Sequence, residues 1–97
     1  MSQIVNLLST GPAKIFGLYP EKGSLEVGTD ADITLFDPDY NWTLSKDTIH
    51  SASGYTAYDG FNVTGKVVMT YLRGRLIMGD NIYLGLSGDG KFLRAKR

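Results

Sequence analysis

"GPAKIFGLYPEKGSLEVGTDADITLFDP", residues 11–38, changes period once, and that change decides the fold. Its first seven residues read as a helical turn. Thr10 or Gly11 stands near the N-cap, Pro12 suits the first helical position by its fixed φ, and Gly17 suits the left-handed residue that ends a helix. After Tyr19-Pro20 the spacing of apolar residues falls to two. Lys22-Gly23 reads as a turn, Ser24–Val27 as a short strand and Gly28-Thr29 as another turn. Ile33–Phe36 reads as a buried strand stopped by Asp37-Pro38.

Upstream, Ile4, Val5, Leu7 and Leu8 recur at helical spacing. Residues 2–9 therefore predict a short amphipathic helix whose apolar stripe has no obvious partner in this chain. Downstream, "NWTL" (41–44) continues as an extended piece, and residues 45–60 lose all period, as a long loop does. "GKVVMTYLRGRLIMGD" (65–80) is the strongest strand signal. Val67, Met69 and Tyr71 fall on one face and Val68, Thr70 and Leu72 on the other, so a strand covered on both sides is expected. Arg73-Gly74 reads as a hairpin turn, Leu76–Met78 as the antiparallel return, and residues 81–97 as a weakly ordered tail.

A chain of 97 residues is one small domain at most and would bury only about 60–65% of its unfolded surface. Its core is expected to be thin. Ten basic and ten acidic side chains cancel, so no global field draws nucleic acid or anionic lipid. Lys91, Arg94, Lys96 and Arg97 then read as a solvated terminus rather than a phosphate patch. The absence of cysteine removes disulfides and thiolate zinc sites and fits a reducing cytoplasm. "SQIVNLLST" (2–10) lacks a basic n-region and is too short to span a bilayer, so no membrane partner is expected. The sequons Asn41-Trp42-Thr43 and Asn62-Val63-Thr64 read as ordinary β-rich sequence.

Few side chains are suited to chemistry. His50 is the only imidazole, and a catalytic zinc site needs several ligands converging on one point. Asp30, Asp32, Asp37 and Asp39 bracket one strand without the glycine of a calcium loop, and read as turn formers. Ser51, Ser53 and Ser87 lack an oriented base. Trp42 and the tyrosines read as core or interface aromatics in the absence of a basic groove. No catalytic, substrate-binding or metal-ligating residue is assigned.

With the pieces in order, "GPAKIFGL" followed by "KGSLEVGTDADITLFDPD" closely resembles the C-terminal segment of the amidohydrolase superfamily. There a final barrel helix precedes Gly-x-(apolar)-x-x-Gly-x-x-Ala-Asp-(apolar). The matching positions are Gly23, Leu25 or Val27, Gly28, Ala31, Asp32 and Ile33. "TAYDGFNVTGKVVMTYLRGRLI" (56–77) is similar to the SPY-x-G-x-x-x-x-G-x-V-x-x-T-x-x-R-G run of cyclic-amide hydrolases, namely dihydroorotases, allantoinases and hydantoinases or dihydropyrimidinases. It matches at Tyr58, Gly60, Gly65, Val67, Thr70, Arg73 and Gly74, and departs at Thr56-Ala57. His50 ahead of this run leans towards dihydroorotase or allantoinase.

The resemblance implies a mainly β fold, part of the composite β-sandwich that accompanies a (β/α)8 barrel, with one or two short N-terminal helices. Residues 1–18 would be the last helical segments of the barrel. Residues 19–80 would be the sandwich portion with its loop 45–60, and 81–97 the tail. It implies a non-catalytic chain, with zinc or a similar divalent metal held in the parent barrel and no cofactor in this piece. The partners implied are that missing barrel and further copies of the chain. Asp32 would accept backbone N–H groups at a turn. Two other readings compete: a free-standing β binding module with Trp42, Tyr55 and Tyr58 as an aromatic platform, and a small hydrolase built on His50 and a nearby serine.

Overall fold

The computed structural model describes residues 1–96; Arg97, the last of the basic tail residues, lies outside them. The chain opens with a helical run in three pieces: α1 (Ser2–Val5), a π-turn (Asn6–Thr10) and α2 (Gly11–Ile15). A four-stranded antiparallel sheet follows, β1 (Ile33–Thr43), β2 (Asn62–Leu72), β3 (Arg75–Gly79) and β4 (Ile82–Tyr83), in the order β1-β2-β3-β4. Mainly β with a short helical N-terminus is therefore what forms. No helix among the described residues is long and apolar enough to cross a membrane.

The helix expected to restart at Thr10 or Gly11 does not restart. Both residues keep right-handed helical angles, and the run passes through them. Pro12 explains the π-turn, because it has no N–H for the carbonyl four residues back and its ring crowds that carbonyl. The ladder widens by one residue just before it, and the Gly11 N–H donates to the Asn6 carbonyl. Gly17, at φ 74°, ends the run as expected.

Ser24–Val27 is a correction: it joins no strand, and Leu25 and Val27 point into solvent. An alternating pattern makes a strand only beside a partner edge, and among the described residues none lies there. The second correction is at Asp37-Pro38, where β1 continues. Pro38, Asp39 and Tyr40 stand opposite Gly65 alone, since Asp37 pairs with Lys66 and Asn41 with Thr64. A proline that cannot donate to a ladder is accommodated by such a bulge. The Asp39 N–H turns back onto Asp37 Oδ1 at 3.0 Å, so this aspartate is a turn former.

Beyond the bulge the two sequons face each other as cross-strand pairs. Thr64 Oγ1 donates to Asn41 Oδ1 at 2.9 Å, and Thr43 Oγ1 to Asn62 Oδ1 at 3.1 Å. Residues 45–60 carry neither helix nor strand. The loop is closed at its base by Leu44 N–H to Phe61 O at 2.9 Å and Gly60 N–H to Leu44 O at 2.8 Å.

Arg73 and Gly74 have φ of 47° and 84°, the left-handed pair that a two-residue hairpin needs to match strand twist. Asp80 and Asn81 repeat the device at 49° and 60°. The second hairpin adds β4, where the sequence predicts only a weakly ordered tail.

One sheet forms, not two, so the described residues make no sandwich by themselves. Ala13 is the only buried hydrophobic side chain among them. Leu35, Phe36 and Val67 on the sheet stay exposed, as do Ile4 (52%) and Leu8 (77%) on the helical run. The expectation of a strand covered on both faces is corrected: Val67 lacks cover because no second layer lies over it.

Candidate functional site

The resemblance motif folds into one polar cluster at the junction of helix, loop and hairpin. Its construction starts at Gly23, whose φ is 80°. A Cβ there would come within 2.7 Å of the Ala13 methyl and 3.1 Å of the Ser9 carbonyl. Only a residue without a side chain lets the loop lie this close to the helix. Thr10 Oγ1 donates to the Gly23 carbonyl at 2.8 Å, and the Lys22 N–H to the Leu18 carbonyl at 2.9 Å. Lys22 is thereby fixed beneath the start of β1.

The Lys22 ammonium is shared by two carboxylates, Asp30 at 2.8 Å and Asp32 in a closer ion pair. Asp32 Oδ1 also accepts the Arg73 N–H at 2.9 Å, and the Ala31 carbonyl accepts the Gly74 N–H at 2.9 Å. The β2–β3 turn is thus clamped onto the loop 41 residues earlier. This is the role expected of Asp32, an acceptor of backbone N–H at a turn.

Electrostatics follow from the geometry. Partial burial works against charge on Asp32, but the Lys22 hydrogen bond and the Arg73 N–H outweigh it and hold the carboxyl below its usual range. Partial burial likewise opposes the Lys22 charge, yet Asp30 and Asp32 together raise its pKa. Both Asp32 oxygens are engaged, one by the Lys22 ammonium and the other by the Arg73 N–H, which holds the carboxylate as an acceptor at the turn.

A pH dependence follows. A lowered carboxyl pKa means that folding favours the ionised form. The stability it contributes is present above 3.8, the ordinary value, and is lost as pH falls through the folded-state value. A raised Lys22 contributes below 10.5 and loses its effect as pH rises through its own folded-state value. Unfolding free energies of the wild type and Asp32→Asn, measured by urea titration, should differ by about 1–3 kcal/mol at neutral pH and converge in acid. Parallel curves down to about pH 2, well below the ordinary carboxyl value, would contradict this clamp.

Other candidates are not brought together. His50 is exposed on the 45–60 loop. Ser51 Oγ and Ser53 Oγ hydrogen-bond to each other at 2.9 Å, and Ser53 Oγ donates to the Tyr55 carbonyl at 2.9 Å. Those hydroxyls hold the loop, and none is oriented by an imidazole. The aromatic platform does not form either. Trp42 Nε1 donates to the Gly65 carbonyl at 2.9 Å, with Lys66 over its ring at 5.0 Å, while Tyr58 meets Phe61 edge-on at 5.5 Å. Lys66 also lies 5.1 Å from the Tyr40 ring, so cation–π contacts with one lysine occupy the β1 aromatics.

A divalent metal has no set of donors to fit. Among the described residues no three His, Cys, Asp or Glu side chains gather, and the Lys22 ammonium already fills the space between Asp30 and Asp32.

Comparison with known proteins now gives the class. The amidohydrolase family model matches residues 1–77, and the chain belongs to that family. In sequence it is 40% identical over 97 residues to a D-hydantoinase of Ralstonia pickettii, covering 100% of this chain and 21% of that protein. It is 40% identical over 91 residues to a dihydropyrimidinase of Dictyostelium discoideum, covering 94% and 18%. In structure it superposes on a D-hydantoinase with a TM-score of 0.90 at 42% identity, covering 99% of this chain and 21% of that one. The dihydropyrimidinase of Brevibacillus agri NCHU1002 gives 0.90 at 38%, covering 98% and 21%.

The chain spans about a fifth of the length of these relatives. Their names fall in the hydantoinase and dihydropyrimidinase group, not in the dihydroorotase and allantoinase groups towards which His50 leaned. A single exposed loop histidine does not report subfamily.

Proposed function

We propose that this chain is a non-catalytic, β-rich portion of a metal-dependent hydrolase of cyclic amides, of the hydantoinase or dihydropyrimidinase kind. The observation that carries this reading is the motif cluster, in which Lys22, Asp30, Asp32 and the Arg73 N–H bond to one another. These groups join helix to sheet and leave none for a substrate. Zinc or a similar divalent ion belongs, on this reading, to the remaining four-fifths of the parent enzyme. There it would supply Lewis-acid activation for opening the ring amide, and no residue of this chain would hold it.

The motif order supports a place at the C-terminal end, as part of a sandwich completed by strands from elsewhere in the parent. The bare faces of helix and sheet support cover by the parent's barrel, or by further copies of the chain when it is alone. Purified, the 97 residues are expected to scatter light as an assembly of more than one copy. Hydantoin, dihydrouracil, dihydroorotate and allantoin should remain intact, with or without zinc.

A further inference from the structure

We propose that the segment after β4 is a strap latched by Asp89, which closes one wall of a cavity beside the motif cluster and swings away when the latch opens. Three groups converge on Asp89. Arg75 forms an ion pair with its carboxylate, the Leu86 N–H donates to Oδ2 at 2.6 Å, and Arg73 Nη2 donates to its backbone carbonyl at 2.6 Å. The latch is preformed by a tight turn: the Asp89 N–H returns to the Leu86 carbonyl at 3.1 Å, and Gly88 takes the left-handed angle, φ 87°. Such a turn needs glycine at its third position.

Arg73 lies in the hairpin turn that Asp32 clamps and Arg75 directly follows it, so the strap is tied to the same turn as the motif. Beyond the latch, Lys91 and Leu93 form one wall of a cavity of about 150 Å³ whose other side is Lys22, Asp30, Leu72 and Arg73. The far end of the strap is held lightly. The Lys96 N–H donates to the Gly17 carbonyl at 2.8 Å, and its ammonium lies 3.9 Å from Glu21. An ion pair of this exposure is weakened by salt, so the strap is a device that ionic strength or a competing charge can release.

Limited trypsin digestion of the full chain tests it. Cleavage after Lys91 and Arg94 is read against cleavage after Lys46 in the 45–60 loop, which no part of the latch touches. When opening is fast relative to cutting, the ratio follows the open population. Asp89→Asn should raise that ratio about fivefold or more, and 1 M NaCl should raise it by a larger factor in the wild type than in the variant, which keeps only the Lys96–Glu21 tie. Equal ratios for wild type and variant at low salt would overturn the latch, as would a salt response of equal size in both. If the variant is instead cut after Lys66 within β2, it has unfolded. The salt response of the wild type then decides: a rise confined to Lys91 and Arg94 supports the strap, and none overturns it.

Discussion

Gly23→Ala is expected to destabilise the chain by about 2–5 kcal/mol, more than any substitution on its surface. Two costs combine. At φ 80° an alanine meets backbone strain of about 1–2 kcal/mol, and its methyl would stand 2.7 Å from the Ala13 methyl and 3.2 Å from the Thr10 Cα. Neither neighbour is the free end of a long side chain, so relief requires the helix to move, at about 1–3 kcal/mol. Gly28→Ala separates the two costs. Its φ is 95° but nothing lies within 4 Å of the added Cβ, so only the backbone strain of about 1–2 kcal/mol remains. Urea unfolding of both variants should show a markedly lower midpoint for Gly23→Ala. Equal midpoints would mean that the approach of loop to helix does not hold the fold together.

Gly65→Ala is expected to cost about 2–4 kcal/mol for a related reason in the sheet. Gly65 is buried, has φ 102° and lies against the Phe36 ring, whose Cζ would be 2.8 Å from a Cβ. It is also the single residue that answers the three-residue bulge of β1. Its carbonyl holds the Trp42 indole, so the backbone cannot turn away to relieve the contact without releasing that ring. The Phe36 ring can yield at its tip, so the pair should be coupled. Gly65→Ala with Phe36→Leu should cost less than the sum of the single changes by about 1 kcal/mol. Additivity within about 0.5 kcal/mol would show that the ring is not what excludes a side chain at this position.

These two glycines show why the sequence was partly legible. Gly23 and Gly65 both fall in the resemblance motifs, and Gly23 also reads as part of a turn. The structure assigns each a steric reason that no one-dimensional pattern contains: Ala13 is ten residues from Gly23, and Phe36 is 29 from Gly65. What local chemistry fixes was readable. Gly17 ending the helix, Arg73-Gly74 turning the hairpin and Asp32 accepting an N–H all follow from preferences expressed within one turn.

What depends on a distant neighbour was not readable. Ser24–Val27 has the alternation of a strand but no adjacent edge. Pro38 has the form of a stop, yet the absence of a partner residue on β2 makes it a bulge. β4 and the Arg75–Asp89 pair are not legible in the sequence, because Ile82–Tyr83 is too short to show a period and Arg75 is fourteen residues from Asp89. One histidine and scattered serines show no oriented pair in the sequence; in the fold His50 is exposed on the 45–60 loop while Ser51 and Ser53 bond to each other.

The measurement that tests the account most directly is turnover of hydantoin, dihydrouracil, dihydroorotate and allantoin by the purified chain, with and without zinc, alongside its molar mass by light scattering. The account predicts an associated protein that releases no ring-opened product under either condition. A monomer that opens any of these rings, with the activity lost in His50→Ala, would contradict it, since the chain would then assemble a catalytic centre from residues that the fold keeps apart.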